Sequence, residues 1–407
     1  MTSFRSSGLP LLGSFAACLS IAAAATAAGP APAPAPPPPT LGGSPTTLVS
    51  AQTTGELGQS LTREAQAAVR RSLEWLASQQ KPDGSWSSGD YPALTALPLW
   101  AFSQSEYPGR DAIMARATKF ILSFVQDSGA IYKPAGDKEG GLSGYNTALC
   151  MVALHLTGDP ALTPVVQKAR KFVAASQHLG DDLYRGGMGY DKASGRAYAD
   201  LSNSMMAYEA MRMTQSAEDL RPAAGARADM NWQAATQFLG RVQNKPDSGT
   251  NDAGGFYYRP GESKAGATTN AAGAVVFRSY GSMTYAGLLS LVYADVSRDD
   301  PRVRSAFDWA AKHWTLDENP GAGTDGLFYF YNVLTKALSA YGQVSIPTPS
   351  GPRDWRADIV RKLLTLQKID PKTGQGYWMN ASGRWWEADP VLVTAYSVIA
   401  LQVALGK

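Results

Sequence analysis

The sequence predicts an all-α fold in which six helical hairpins close into a ring of two concentric layers. Of its 407 residues, 44% are hydrophobic, so the chain can bury a substantial core. A unit made of a helix ending in glutamine, a turn with glycine and an aromatic residue, and a second helix recurs along the chain. The second helix of each unit is apolar nearly all round, as expected of a helix that other helices surround.

The N-terminal segment predicts export. Residues 1–28 have the features of a secretory signal peptide, with a basic Arg5, an apolar run and a small-residue ending before Gly29. An uncleaved anchor, or a lipoprotein attached at Cys18, is the alternative. Residues 29–58 are rich in proline and alanine and should form an extended linker. We expect residues 59–407 to form one ring-shaped domain in the periplasm, the cell envelope or outside the cell.

The first unit contains the best-preserved turn, "LASQQKPDGSW", which runs from Leu76 to Trp86. Its leading helix carries apolar residues three or four apart on one face, and Pro82 and Gly84 end it. Beyond the turn, "YPALTALPLWAF" predicts an apolar helix. We expect Gln80 and Trp86 to join neighbouring hairpins, because the glutamine can bond freed backbone groups and the indole can pack against the next unit.

Five further units follow in degraded form, with the turns "VQDSGAIY", "GGMGYD", "GGFYY", "TDGLFYFY" and "GQGYW". Gln80, Gln126 and Gln177 lie 46 and 51 residues apart, and the 124 residues from Gln243 to Gln367 hold two units, of which the fifth has lost its glutamine. The last helix, "VLVTAYSVIALQVAL", is too apolar to be the free end of an open array. We therefore expect the ring to close around a central cavity.

The run "RRSLEWLASQQKPDGSW" resembles the glutamine–tryptophan motif of the squalene and oxidosqualene cyclase family, and the other five turns resemble it more weakly. The resemblance extends from Thr62 to Leu405. It implies the (α/α)6 toroid that terpenoid cyclases, protein prenyltransferase β subunits and complement-type thioester domains share. That fold hosts unrelated activities, so the chemistry has to be sought in individual residues.

The catalytic groups of these families are missing from the sequence. Cyclases of this type protonate an alkene or epoxide with an aspartate of an Asp-x-Asp-Asp-Thr-Ala motif, and the matching stretch here, "DLSNSMMA", keeps only the first aspartate, Asp200. Ser202 and Asn203 replace the next two. Neither Cys150 nor any histidine falls where a prenyltransferase has its zinc ligands, and the complement-type thioester motif is absent. We expect no metal and no cofactor.

The starts of the inner helices define the rim of the predicted cavity. The candidate acid or base groups there are Asp200, Asp325, Glu387 and Asp389. The candidate ligand-binding residues are Tyr91, Tyr145, Asn146, Asn203, Tyr280, Ser282, Tyr329, Trp385 and Trp386. Acids and amides at these positions are also what helix N-termini require, so a purely structural role is the alternative. A glycine-rich insert, residues 248–281, should form a flap with Arg259, Glu262 and Lys264 as its polar contacts.

Three functional hypotheses stay open. The first is an exported toroid that binds an apolar or isoprenoid-type ligand in its cavity, with catalysis unproven. The second is a carbohydrate-active toroid that cleaves or binds a glycan, and the third is a cell-envelope scaffold without a site. A net charge of +3 with 17% charged residues offers no basic stripe for nucleic acid. We expect no stable membrane span after signal cleavage, and the oligomeric state stays open.

Overall fold

The computed structural model describes residues 57–135, 141–191, 198–221, 225–245 and 250–407. The signal peptide predicted for residues 1–28, including Cys18, lies outside these residues, as does all but the end of the linker predicted for residues 29–58. Of the described residues, 52% are helical and few lie in strands, which confirms the all-α prediction. Within the described residues, no helix is both long and apolar enough to cross a membrane.

Six hairpins each pair an outer helix with an inner helix. The outer helices are α1 (Gln59–Gln79), α3 (Arg110–Leu122), α5 (Thr163–Ala175), α8 (Trp232–Arg241), α10 (Pro301–Lys312) and α12 (Trp355–Leu366). The inner helices are α2 (Ala93–Ser103), α4 (Ser143–Leu156), α6 (Leu201–Met213), α9 (Gly281–Tyr293), α11 (Leu327–Tyr341) and α13 (Pro390–Ala404). A short helix, α7 (Ser216–Asp219), follows α6.

Three small antiparallel hairpins lie in the loops between the helices. In the flap, β1 (Ala267–Thr269) pairs with β2 (Val275–Phe277), with Ala267 opposite Phe277. Between α11 and α12, β3 (Ser345–Thr348) pairs with β4 (Gly351–Asp354). In the last Gly-aromatic turn, β5 (Lys368–Ile369) pairs with β6 (Gly376–Tyr377).

Burial separates the two layers. The inner helix α13 buries 13 of its 15 residues, whereas the outer helix α1 buries only 6 of 21, along one face. This difference follows from sequence, because a helix that is apolar all round must be covered all round. Consecutive inner helices pack against each other, and α13 packs against α2. The inner layer is therefore a closed ring, as the apolar last helix predicted.

Most of the repeated glutamines join their hairpin to the next one. In four of them Nε2 donates to a backbone carbonyl in or beside the following outer helix: Gln80 to Ile113 (3.0 Å), Gln177 to Asn231 (3.1 Å), Gln243 to Arg302 (2.8 Å) and Gln367 to Ala68 (3.0 Å). The bond from Gln367 reaches α1 and closes the outer layer. Gln126 instead bonds two carbonyls of its own turn, those of Phe124 and Tyr132.

The glycines in the turns are needed for steric reasons. Gly84 and Gly186 have φ of +92° and +98°, a left-handed conformation that favours glycine. Each lies against the backbone of the next outer helix, where a Cβ at Gly186 would come within 1.8 Å of the carbonyl oxygen of Ala234. Only glycine therefore lets adjacent hairpins approach closely enough for the glutamine to reach its partner.

A hydroxyl on the inner helix holds five of the six turns in register. The turn residues Trp86, Ile131, Met188, Phe256 and Trp378 donate their backbone N–H to the hydroxyls of Thr95, Thr147, Ser204, Thr284 and Thr394, over 2.8–3.2 Å. The residues two positions after Met188 and Phe256 are Tyr190 and Tyr258, which line the central cavity. This geometry positions part of the site described next.

Candidate functional site

A cavity of about 350 Å³ lies at the N-terminal ends of the inner helices. All six inner helices contribute to its wall, through residues in their first two turns. Nine of the 17 residues that line it are aromatic, and Lys264 from the flap is the one charged residue among them. We call this space the central cavity.

Seven of the rim residues expected from the sequence line the central cavity: Tyr91, Tyr145, Tyr280, Ser282, Tyr329, Trp385 and Trp386. The remaining wall residues were not expected: Leu94, Leu142, Tyr190, Ser202, Met206, Tyr258, Met283, Leu392 and Tyr396. Two signals could have found three of these nine residues. Tyr190 and Tyr258 each lie two positions after a turn residue held by an inner-helix hydroxyl. Tyr396 follows Leu392 by four residues on one face of α13.

Hydroxyl groups form two separate pairs in and beside the aromatic wall. The hydroxyls of Ser202 and Tyr329 lie 2.9 Å apart, and those of Tyr198 and Tyr258 lie 3.2 Å apart. Burial raises the pKa of Tyr145 and Tyr190 to about 12. Around neutral pH the wall therefore consists of uncharged phenols, which can donate or accept hydrogen bonds without carrying charge.

Asp200, the one aspartate kept from the cyclase motif, lies behind the wall. It is fully buried and caps α6, accepting hydrogen bonds from the backbone N–H of Asn203 (2.9 Å) and from Asn203 Nδ2 (2.8 Å). Burial raises the pKa of its carboxyl to about 6, against the opposing effect of hydrogen bonds from Asn203 and Tyr258. Asn203 likewise lies behind the wall, and within the described residues its Oδ1 has no hydrogen-bond partner.

Glu387 accepts hydrogen bonds from the first turn of α11. Its side chain is 1% exposed and accepts the backbone N–H groups of Phe328 (3.2 Å) and Tyr329 (2.7 Å), together with Asn380 Nδ2 (2.6 Å). Burial raises the pKa of this carboxyl. The carboxylate thus satisfies the free N–H groups of a helix that begins nearly sixty residues earlier in the chain.

The other expected polar residues also have structural partners. Asp389 caps α13 through the N–H of Val391 (2.9 Å), and Asn146 Oδ1 accepts the N–H of Ala93 (2.9 Å) at the start of α2. Asp325 pairs with Arg384 (2.8 Å), and its hydrogen bonds to Ser382 and Arg384 lower the pKa of its carboxyl. Among the described residues, therefore, none of the four candidate acids lines the central cavity.

The flap covers one side of the cavity and is held by charges and rings. Glu262 forms salt bridges with both Arg259 and Lys264. The Lys264 ammonium lies 4.5 Å from the centre of the Tyr258 ring, and the Arg259 guanidinium lies 4.4 Å from that of Tyr198. The three expected flap contacts thus hold one another, and Arg259 also contacts Tyr198 outside the flap.

Two exposed tryptophans lie at the mouth of the cavity. Trp385 and Trp386 are 40% and 51% exposed and have φ of +55° and +68°, which is strained for residues with a side chain. The ring of Trp386 meets that of Tyr91 edge-on, with centroids 5.3 Å apart. Strain of this kind is tolerated where it places a side chain at a defined position, here the entrance.

The wall sets limits on the chemistry that the cavity can offer. No group of three or more His, Cys, Asp or Glu side chains that could hold a metal ion occurs in the part of the chain that the structure describes. The lining provides aromatic faces, neutral phenols and one ammonium group. Such a surface can enclose an apolar molecule and hydrogen-bond a single polar group on it.

No protein-family model matches the sequence, and no curated protein matches it either. Solved structures do match. A variant of the type II terpene cyclase MstE from Scytonema, in complex with its substrate geranylgeranyl dihydroxybenzoate, aligns at a TM-score of 0.53 and 13% identity over 86% of this chain and 99% of the cyclase. A D-mannose isomerase aligns at 0.52 and 10% identity, over 86% and 99% of the two chains.

Protein geranylgeranyltransferase-I from Candida albicans, complexed with GGPP, aligns at a TM-score of 0.51 and 11% identity, over 82% of this chain and 90% of that one. At these identities the likeness concerns the fold, which one terpene cyclase, one prenyltransferase and one sugar isomerase have in common. The chain has the α/α-toroid fold of the terpenoid cyclases and protein prenyltransferases.

Proposed function

We propose that this protein is an exported α/α-toroid protein that binds an apolar, isoprenoid-type ligand in its central cavity. The observation that carries the proposal is the composition of the cavity wall. Among the described residues, nine of the 17 that line it are aromatic and none is a carboxylate. Most of the other lining residues are leucine or methionine. A wall of this kind gains free energy by removing apolar ligand surface from water.

The size and shape of the cavity support a ligand of moderate size. A volume of about 350 Å³ lies within the range of small-molecule sites in proteins. The exposed Trp385 and Trp386 line the cavity, and so do Met206 and Tyr396, which lie in the second turns of α6 and α13. An elongated apolar molecule could thus extend from the exposed tryptophans to the middle of the inner helices.

The central cavity is poorly suited to cleaving a glycan. Glycoside hydrolysis by the common route needs two carboxyl groups that face the scissile bond. Asp200 and Glu387 are 0% and 1% exposed, and their oxygens are taken up by helix N-termini and amide groups. These contacts favour the apolar ligand over the carbohydrate-active alternative. The open cavity also distinguishes the proposal from a scaffold whose centre is filled by its own side chains.

The proposal concerns binding and assigns no catalytic step. Its test is the affinity of the full chain for geranylgeraniol, measured through quenching of tryptophan fluorescence, together with mass spectrometry of lipids that co-purify. Ser202→Phe places a ring inside the cavity and should weaken binding at least roughly tenfold, which corresponds to about 1.4 kcal/mol. Thr365→Phe, on the exposed face of α12, is the matched control and should leave the affinity unchanged.

Two outcomes would contradict the proposal. One is a wild-type chain that neither retains lipid nor binds geranylgeraniol. The other is binding that Ser202→Phe and Thr365→Phe leave equally intact, because the ligand would then occupy some other surface. Export is tested separately, by locating the full chain and a chain that lacks residues 1–28 in cell fractions.

A further inference from the structure

Four hydroxyl groups lie near one another in the wall of the central cavity. They belong to Tyr145, Ser202, Tyr329 and Tyr396, which come from the first two turns of α4, α6, α11 and α13. The hydroxyls of Ser202 and Tyr329 are 2.9 Å apart, and the ring centroids of Tyr329 and Tyr396 are 6.0 Å apart. The Tyr145 and Tyr396 hydroxyls are also neighbours, because a hydrogen bond between them affects the pKa of both. We call these four groups the hydroxyl cluster.

The hydroxyl cluster holds more protons than its own contacts use. Of its four O–H protons, the contact between Ser202 and Tyr329 uses one, and the contact between Tyr145 and Tyr396 uses another. Within the described residues, these hydroxyls have no further hydrogen-bond partner. Two donors are therefore left over, and a buried donor without an acceptor costs free energy. A ligand atom that accepts two hydrogen bonds would remove this cost.

A carbonyl oxygen fits this requirement. It has two lone pairs and no proton, so it can accept from two hydroxyls and brings no donor that needs a partner. An alcohol can accept in the same way, but it adds a proton that must find an acceptor of its own. The surplus of donors thus favours a carbonyl group over a hydroxyl group.

The charges around the hydroxyl cluster favour a neutral ligand. After burial, the charge of Asp200 is among the causes that raise the pKa of Tyr329, so the Asp200 carboxylate opposes a second negative charge at this place. Lys264, the one charged residue among the described lining residues, is paired with Glu262. An acidic head group would therefore lose its hydration without gaining an unpaired cation. A ketone avoids this cost.

We infer that the ligand of the central cavity is a terpenoid ketone, whose carbonyl oxygen accepts hydrogen bonds from the hydroxyl cluster. The inference rests on the function proposed above and adds to it the polar group of the ligand and the place where that group binds. The hydrocarbon part of the ligand lies against the aromatic rings and the leucine and methionine side chains of the same wall.

Geranylacetone, a terpenoid ketone, and the hydrocarbon in which a methylene group replaces its carbonyl form a matched pair of ligands. Titrations of the full chain, followed by tryptophan fluorescence, should show the ketone binding roughly tenfold more tightly, as two hydrogen bonds between neutral groups would give. Ser202→Ala/Tyr329→Phe should lower this preference to about threefold, because one spare donor of Tyr145 and Tyr396 remains. Tyr341→Phe, which removes a phenol of α11 that does not line the cavity, is the matched control and should keep the full preference.

The carbonyl stretching band gives a second readout, with geranylacetone labelled with ¹³C at the carbonyl. A hydrogen bond weakens the C=O bond, so the bound ketone should absorb at a lower frequency than the ketone in hexane. In Ser202→Ala/Tyr329→Phe the band should move back towards its position in hexane. A change that only loosened the fold would not produce this shift.

Three results would overturn the inference. Equal affinity of the wild type for the ketone and the hydrocarbon would show that water satisfies the hydroxyl cluster, and would leave the proposed apolar site intact. A preference that Ser202→Ala/Tyr329→Phe keeps and Lys264→Met loses would place the carbonyl at the flap. If the wild type binds neither ligand of the pair nor geranylgeraniol, the proposed function itself fails, and the inference fails with it.

Discussion

The pH dependence of stability offers a direct test of the place that the structure gives to Asp200. The change to make is Asp200→Asn, because asparagine is also a good N-cap and its Oδ1 can still accept the backbone N–H of Asn203. The new Nδ2 would face Asn203 Nδ2, which now lies 2.8 Å from the carboxylate. A flip of the Asn203 amide would turn its unpartnered Oδ1 to this position, so the substitution should be well tolerated.

The size of the expected change in stability follows from the raised pKa of the buried Asp200 carboxyl. Burial raises its pKa from 3.8 to about 6, so the folded protein holds a proton that the unfolded chain has released between these two pH values. The stabilisation is complete below the unfolded pKa and is lost as the pH rises through the folded one. At about 1.4 kcal/mol for each pH unit, the loss amounts to roughly 3 kcal/mol.

The assay compares urea unfolding of the wild type and Asp200→Asn between about pH 4 and pH 7. The free energy of unfolding of the wild type, relative to the variant, should fall by roughly 2–3 kcal/mol over this interval. Other titrating groups, including Glu387, are common to both proteins and cancel. A difference that is constant with pH, or that grows in favour of the wild type as the pH rises, would refute the assignment of a buried carboxyl with a raised pKa.

Three further substitutions test the ring and one candidate acid. Gln367→Ala removes the hydrogen bonds into α1 and should lower the free energy of unfolding by about 2 kcal/mol. Gln126→Ala should lower it less, because the hydrogen bonds of Gln126 stay within its own turn. Equal urea midpoints for the two variants would contradict a ring-closing role for Gln367. Gly186→Ala should lower the free energy of unfolding by about 3–5 kcal/mol. Gly109→Ala should lower it by only about 1–2 kcal/mol, because Gly109 is also left-handed but faces open space. Thermal unfolding compares the two variants, and a larger loss for Gly109→Ala would exclude the steric explanation. Glu387→Gln should lower stability by about 2–3 kcal/mol and leave geranylgeraniol affinity within about twofold, whereas lost binding at unchanged stability would place the carboxylate in the site.

The architecture was predictable because its determinants are local and repeated. A glutamine at the end of the outer helix, a left-handed glycine and an apolar inner helix recur at a regular spacing, and each has one structural explanation. The closing of the ring followed from a single property of the last helix, its apolar character all round. Neither inference required knowledge of contacts between distant segments.

The site was less predictable because its determinants are not local. Glu387 and Asp389 are residue types that serve as catalytic acids and as helix caps alike. Asp389 caps its own inner helix, whereas the role of Glu387 depends on α11, which belongs to another hairpin. Tyr190 and Tyr258 belong to irregular turns whose register depends on hydroxyls 16 and 28 residues away from the turn residues that they hold.

The closed inner ring fixes the number of repeats. In an open solenoid a unit can be lost or duplicated, because each unit contacts only its two neighbours and the ends are capped separately. Here α13 packs on α2 and Gln367 bonds α1, so every hairpin turns the path by about one sixth of a circle. Deleting one hairpin would expose the apolar faces of its two neighbours to water. A seventh hairpin could not be inserted without breaking the contacts between adjacent inner helices. Variation in such a protein is therefore confined to the loops, where the flap and the cavity mouth lie.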